Sequence, residues 1–248
     1  MSMSDSTPEI ILYDLACTKN MCFSPVVWKI RLMLNYKHIP YQTIFVEFPD
    51  IEPTLKSLGL APHDPGSASH ARYTVPAVKH VPSDTSIMDS PAIAEFLETT
   101  YPDPPLRLTS ALGRQVERQA RRSIGPAFGA SVTPREILIL SPPSQEYFRQ
   151  KVQARLGHPP EDLLDPDKEE RAWEAVADKM RDMGELMMMN NADGPFVLGA
   201  QPSYTDFFIA ASLQSGRTID EGIFQRCIKH PGFNEIYEAC LPWMEKKD

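Results

Sequence analysis

The 248-residue chain has little cysteine and no excess of positive charge. Its four cysteines are too few for a disulfide scaffold at this length, and no pair has the two-residue gap of a zinc or redox motif. The net charge of −8 disfavours a general nucleic-acid or anionic-membrane partner, because attraction to phosphate groups needs a basic surface. The six histidines show no metal-ligand spacing, so the sequence predicts no metal site.

Long apolar runs and targeting segments are also absent. No stretch approaches the roughly 20 apolar residues that a membrane-spanning helix needs. The first residues, MSMSDSTPE, contain an acid and no apolar run, unlike a secretory signal, and they lack the arginines of a transit peptide. These features predict a soluble cytoplasmic protein.

The first hundred residues alternate between strand and helix patterns. An apolar run, EIILYDL, predicts a buried strand, and helical spacing of apolar residues follows from Val26. The segment YQTIFVEF, rich in β-branched and aromatic residues, predicts the next strand and completes a βαβ unit. Further patterns predict a short helix within 51–60, short strands at 75–81 and 85–89, and a helix over 90–102.

After the segment PDPPLRL no strand pattern remains. Helical patterns follow instead, and proline clusters such as SPP (141–143) and HPPEDLLDP (158–166) separate them as loop signals. The predicted helices cover 111–125, 144–157, 167–191 and 202–214. The sequence therefore predicts an α/β domain over residues 1–106 and an all-helical domain over 107–248.

Ser24 and Pro25 stand where the first helix is predicted to begin. Serine is a preferred N-cap and proline a preferred first helical residue, so helix capping is one interpretation. The other is chemical, because a helix start presents free N–H groups and partial positive charge, which lower the pKa of a thiol placed there. A serine hydroxyl at this point can donate a hydrogen bond to that sulfur.

Two further dipeptides, Val75-Pro76 and Asp89-Ser90, can each be interpreted as structural or as part of a ligand site. A cis bond between Val75 and Pro76 would turn the main chain of Val75 outward to pair with an extended peptide, although an edge strand beginning at proline is the simpler alternative. Asp89 and Ser90 precede a proline and suit a helix cap, but they also suit a ligand with an ammonium and a carboxylate group. A thiol, a peptide backbone and an amino-acid end together describe glutathione.

The motifs CFSPVVWKIR, YTVPAV, IMDSPAIAEFLE and PSYTDFFIA resemble cytosolic glutathione transferases in order and spacing, over nearly the whole chain. Segments such as VEFPDIEP and SQEYFRQKVQARLGHPPEDL are most similar to the fungal FuA class, which is related to bacterial etherase-type enzymes. The resemblance implies a thioredoxin-like N-terminal domain of order βαβαββα, an all-helical C-terminal domain, and usually a homodimer.

The resemblance also implies roles for individual residues. Ser24 aligns with the catalytic serine of the FuA class, and Val75 would pair with glutathione's cysteine across cis-Pro76. Asp89, where many relatives have glutamate, and Ser90 would bind the γ-glutamyl end. The remaining implied roles are Lys56 or Arg72 for the glycine carboxylate, a capping box at Ser203 and Asp206, and a second-substrate pocket built from Phe23, the 111–137 segment and the C-terminal helices.

Two other features have open interpretations. Cys22, two residues before Ser24, could form a mixed disulfide with glutathione, as omega-class enzymes do with their cysteine. The basic stripe RQVERQARR (114–122) suits a solvated helix face, although one of its arginines could reach a ligand.

Three functions are compatible with these patterns. The first is transfer of the glutathione thiolate to an electrophilic small molecule, such as an aromatic or polyene secondary metabolite or a xenobiotic. The second is a glutathione-dependent cis/trans isomerase of fungal secondary metabolism, in which glutathione adds reversibly and is not consumed. The third is a non-catalytic carrier of aromatic ligands.

Overall fold

The computed structural model describes residues 8–64 and 71–246. The interpretation of residues 1–7 as neither a signal nor a transit peptide lies outside the described residues. Within the described residues, no helix combines the length and hydrophobicity needed to cross a membrane.

The N-terminal domain is built on a four-stranded sheet of order β2-β1-β3-β4. Strand β1 pairs in parallel with β2, while β3 is antiparallel to both β1 and β4. The strands are β1 Ile10–Leu15, β2 Tyr41–Val46, β3 Ala77–His80 and β4 Thr85–Met88, and the helices between and after them are α1 Pro25–Tyr36, α2 Ile51–Ser57 and α3 Ser90–Thr100. This is the predicted βαβαββα order of a thioredoxin-like domain, which is confirmed.

The rest of the described chain is helical, as predicted. Its elements are α4 Ala111–Gln119, a π-helical turn Ala120–Ile124, α5 Gly125–Glu136, α6 Pro142–Leu156, α7 Pro166–Met187, α8 Tyr204–Ile219, α9 Glu221–Ile228 and α10 Phe233–Cys240. The segment between α3 and α4 joins the two parts, and the boundary near residue 106 stays a prediction within that segment.

Helix α5 departs most from the sequence prediction, which ended this helical region at residue 125. The chain instead passes through the π turn and continues to Glu136, past Pro126 and Pro134. A proline lacks the N–H that a preceding turn needs, and the change of hydrogen bonding at the π turn provides the break before Pro126. The sequence prediction did not anticipate a helix that contains both of these prolines.

Helix α1 packs against α8 and α3, and it contacts strand β1 of the sheet through Arg31 and Asp14. Most of its apolar side chains are fully buried, because it is covered on both of these sides. It also contains Arg31, which is fully buried and donates to the Asp14 carboxylate of β1 at 3.0 Å. This pair fixes α1 on the sheet and so sets where the helix begins.

Candidate active site

Ser24 is the N-cap residue of α1, and its side chain makes no capping hydrogen bond to the helix. Its backbone is extended, with φ −73° and ψ 124°, and Pro25 follows in the first turn. The hydroxyl is nearly buried, with 4% of the residue exposed. Of the two interpretations of Ser24, this geometry favours the chemical one, because the hydroxyl is not committed to closing the helix.

The peptide bond between Val75 and Pro76 is cis. Strand β3 begins only at Ala77, so Val75 lies just outside the hydrogen-bonded ladder. Its main-chain N–H and C=O make no hydrogen bond to the part of the chain that the structure describes. The main chain of Val75 can therefore pair with an extended ligand, and its role in binding stays a prediction.

Asp89 and Ser90 stand at the start of α3, and they differ in exposure. Asp89 is exposed and has a left-handed backbone, with φ 82°. Ser90 is buried, and the Tyr204 hydroxyl of α8 donates to its main-chain oxygen at 3.3 Å. The helical domain thus holds the start of α3 directly.

Lys29 contacts the Ser90 side chain, and the sequence predictions missed it. Its ammonium donates to Ser90 Oγ at 3.2 Å and lies 5.1 Å from the centre of the Tyr204 ring. Burial, followed by repulsion from Arg121, lowers the pKa of Lys29 to about 8. The signal in the sequence was a lysine inside the apolar run of α1, where a buried charge needs a reason.

A cavity of about 230 Å³ opens beside the start of α1, and we call it the α1–α8 cavity. Pro25 and Val26, the two residues after Ser24, form part of its wall. The other walls come from the π turn, α5 and α7 to α10, and include the apolar side chains Ile124, Phe128, Met183, Phe208 and Leu213. A small apolar molecule held there would lie next to the helix start.

Only some of the residues predicted to form the second-substrate pocket line the α1–α8 cavity. The 111–137 segment and the C-terminal helices do supply cavity wall, and Arg121 of the basic stripe is part of it. Phe23, however, is 1% exposed in the core, and it does not line the cavity. Its ring is turned into the protein because the segment before α1 is packed beneath the helix, so the placement gives no support to Phe23 as a pocket residue.

Cys22 is fully buried, which argues against the mixed disulfide with glutathione. Burial raises the pKa of its thiol well above the ordinary value, and the neighbouring Asp14 carboxylate raises it further. The thiolate, which is the reactive form, is therefore disfavoured, and an incoming sulfur has no path to it.

The remaining candidates do not converge on the cavity. Lys56 forms an ion pair with Glu52 at 2.6 Å on α2, and Arg72 is exposed next to the undescribed segment 65–70. Ser203 and Asp206 form the predicted capping box of α8. Among residues 8–64 and 71–246, no group of three or more side chains is arranged to hold a metal ion.

Sequence comparisons relate this chain to glutathione S-transferases. Residues 23–100 match the N-terminal domain of glutathione S-transferases, and residues 111–225 match the C-terminal domain. A glutathione S-transferase-like protein of Aspergillus flavus, ustS, is 31% identical over an alignment that covers 99% of this chain and 94% of that protein.

Solved structures with the same fold include two fungal enzymes. The glutathione transferase GSTFuA3 from Phanerochaete chrysosporium is 26% identical, with a TM-score of 0.81 over 96% of this chain and 98% of its own. A glutathione S-transferase of Ceriporiopsis subvermispora, crystallised in complex with glutathione, is 26% identical, with a TM-score of 0.84 over 96% of this chain and 99% of its own. A maleylacetoacetate isomerase of Anaeromyxobacter dehalogenans, 17% identical with a TM-score of 0.55 over 96% of this chain and 90% of its own, shares the fold.

Proposed function

The chain belongs to the glutathione S-transferase family, and from that premise we propose that it binds glutathione at the start of α1 and transfers its thiolate to an electrophile in the α1–α8 cavity. One observation carries the proposal. Ser24 is the N-cap of α1 without acting as a side-chain cap, so its hydroxyl can donate to a sulfur at the helix start.

Val75, Asp89 and Ser90 would contact the other parts of glutathione. We assign the main chain of Val75 to the cysteinyl part of glutathione, next to cis-Pro76. We assign Asp89 to its ammonium group, and the Ser90 hydroxyl with the first N–H groups of α3 to its α-carboxylate. Lys29 donates to Ser90 Oγ, which leaves the Ser90 proton free to point at the ligand.

The available interactions are large enough to keep the sulfur anionic. A free thiol has a pKa of about 8.5, and lowering it by about two pKa units requires roughly 2.7 kcal/mol. A hydrogen bond to a charged group contributes about 1.5–3 kcal/mol. The helix start adds up to about 2 kcal/mol in a partly buried site.

The variant Ser24→Ala tests this assignment. Because it removes the hydrogen bond to sulfur and keeps the helix, we expect the kinetic pKa of glutathione in kcat/KM to rise by about one to two pKa units. The measurement is the pH dependence of conjugation of 1-chloro-2,4-dinitrobenzene between pH 5.5 and 9. An unchanged profile would remove Ser24 from the mechanism.

The matched control is Cys22→Ala, two residues earlier. The Cys22 thiol is buried, so we expect Cys22→Ala to keep the pH profile of the wild type. Neither the wild type nor Cys22→Ala should gain mass after treatment with oxidised glutathione. A glutathione adduct on Cys22 would instead support the omega-type alternative.

The same site is also compatible with the two alternative functions, a cis/trans isomerase and a ligand carrier. Reversible addition to a conjugated double bond gives an isomer and regenerates glutathione, whereas transfer gives a sulfur adduct. Binding without turnover would identify a ligand carrier. Product analysis by mass spectrometry separates the three, and sedimentation velocity tests the homodimer that family membership favours.

A further inference from the structure

The α1–α8 cavity contains two positive charges in an apolar wall. Lys29 enters from α1 and Arg121 from the π turn. None of the described side chains that line the cavity is acidic. Pockets of this kind hold a ligand by its apolar part and orient it by the few polar groups.

The two cations are poorly neutralised by the protein. Arg121 has Glu117 as its ion-pair partner only at 3.9 Å, while Glu117 accepts a hydrogen bond from Thr205 at 3.0 Å. Lys29 has the neutral Ser90 Oγ as its hydrogen-bond acceptor. Arg121 repels Lys29, although Glu117 and Asp89 attract Lys29 from outside the cavity wall, and an anion bound by both cations would relieve the repulsion.

Arg121 is also held in a position to receive an anion. Its guanidinium carbon lies 4.7 Å from the centre of the Phe208 ring, and Phe208 is itself part of the cavity wall. The Arg121 side chain is 57% exposed and reaches Glu117 only at 3.9 Å, so its guanidinium can still donate two parallel hydrogen bonds to a carboxylate.

We propose that the second substrate is an apolar molecule with one carboxylate group, and that Arg121 and Lys29 bind this carboxylate while the apolar part fills the α1–α8 cavity. This inference rests on the proposed function for calling that molecule the second substrate. It makes Arg121 a specificity-determining residue for negatively charged electrophiles.

A pair of unreactive probes tests the charge requirement. 3-Phenylpropionate and 3-phenylpropanamide share one apolar body, and only the first has a negative charge. Calorimetric titration of the enzyme saturated with glutathione should show the acid binding about tenfold more tightly than the amide, as expected for a hydrogen bond to a charged group.

The variant Arg121→Met should reduce that preference to about twofold or less. The matched control is Arg122→Met, which removes the same charge from the next position of the π turn; Arg122 is exposed, as Arg121 is, but lies outside the cavity wall. The control should keep the preference of the wild type. Glutathione affinity should be the same within about twofold in all three proteins.

Several outcomes would overturn the inference. These are equal binding of acid and amide, no binding of the acid at millimolar concentration, or an equal loss of preference in Arg122→Met. A weaker affinity for glutathione in Arg121→Met, with competition between glutathione and 3-phenylpropionate, would show that the cations hold a carboxylate of glutathione instead.

The same titrations separate this inference from the proposed function. If glutathione binds and acid and amide bind equally, the inference fails and the transferase proposal stands. If the enzyme takes up no glutathione but keeps its preference for the acid, the transferase proposal fails and the anion site stands.

Discussion

Lys29 is a charged side chain in an apolar helix, and the folded protein bears a free-energy cost for it. Only 5% of the residue is exposed, and burial is the main cause that lowers its pKa from 10.5 to about 8. At about 1.4 kcal/mol per pKa unit, the charge costs the folded state about 3 kcal/mol. A side chain retained against such a cost is more easily explained by binding than by folding.

Replacing Lys29 with methionine should therefore stabilise the protein at pH 7 by about 1–3 kcal/mol, measured by urea unfolding. Below pH 8 the lysine is charged in both states and the full cost is present. As the pH rises from about 8 towards 10.5, the folded state loses its proton first, so the advantage of the variant should shrink. Urea curves at pH 7 and 9.5 give the comparison.

Lys37→Met is the matched control for that prediction. Lys37 is equally buried, but it pairs with Glu98 at 2.8 Å and donates to the main-chain oxygens of Tyr101 and Pro104. Removing a buried cation that has partners leaves those partners unsatisfied, so this variant should be less stable than the wild type. A loss of stability in Lys29→Met as well would contradict our account of Lys29.

At the scale of single elements, three hydrogen bonds to one carboxylate, that of Asp206, close the N-terminus of helix α8. The Asp206 Oδ2 atom accepts from the main-chain N–H of Ser203 at 2.8 Å and from its hydroxyl at 2.6 Å. The other oxygen accepts from Val197 N–H at 2.8 Å. One carboxylate thus closes α8 and anchors the preceding loop, beneath the helix whose Phe208 and Leu213 line the cavity.

The variant Asp206→Asn should lower the free energy of unfolding by about 2–4 kcal/mol, because an amide group can supply an oxygen to only one of the two sides. Its NH₂ would then face an N–H donor. Ser203→Ala removes a single hydroxyl and should cost only about 1 kcal/mol. Urea unfolding of both variants checks this order, and an equal or reversed order would show that the capping serine is the principal anchor.

At the scale of the whole molecule, α1 belongs to the thioredoxin-like domain but packs on α8 of the helical domain. Tyr36 contacts Phe207 edge-on, with ring centres 5.9 Å apart. Trp243, near the end of the described chain, packs on both rings, and its main-chain oxygen accepts from Asn35 at 2.7 Å. This aromatic cluster couples the two domains, together with polar links such as the Tyr204 hydrogen bond to Ser90.

The coupling predicts that both domains unfold together. The tryptophans allow a direct test, since Trp28 reports on α1 and Trp173 on α7. Two variants that keep Trp243 and have phenylalanine in place of either Trp28 or Trp173 should show the same urea midpoint within about 0.3 M. Phe207→Ala should lower both midpoints together and reduce the free energy of unfolding by about 3–5 kcal/mol. Separate midpoints would contradict the coupling.

The sequence by itself determined the order of strands and helices in the N-terminal domain, the helical character of the second half and the three dipeptides proposed to bind glutathione, but not helices α9 and α10. These features depend on local chemistry: alternation and run length in the strands, serine and proline at helix starts, and the motifs around Ser24, Val75 and Asp89. The capping box of α8 was predictable for the same reason, since Ser203 and Asp206 are three residues apart.

Only the tertiary structure decided what surrounds that site. Whether Phe23 faces a ligand or the core, whether Cys22 can be reached, and where Lys29 and Arg121 meet all depend on packing between elements far apart in the chain. Burial and the field of neighbouring charges are properties of such packing, so no local pattern contains them. Local motifs predicted where the sulfur of glutathione would bind, and only the tertiary packing places Lys29 of α1 and Arg121 of the π turn in the wall of one cavity.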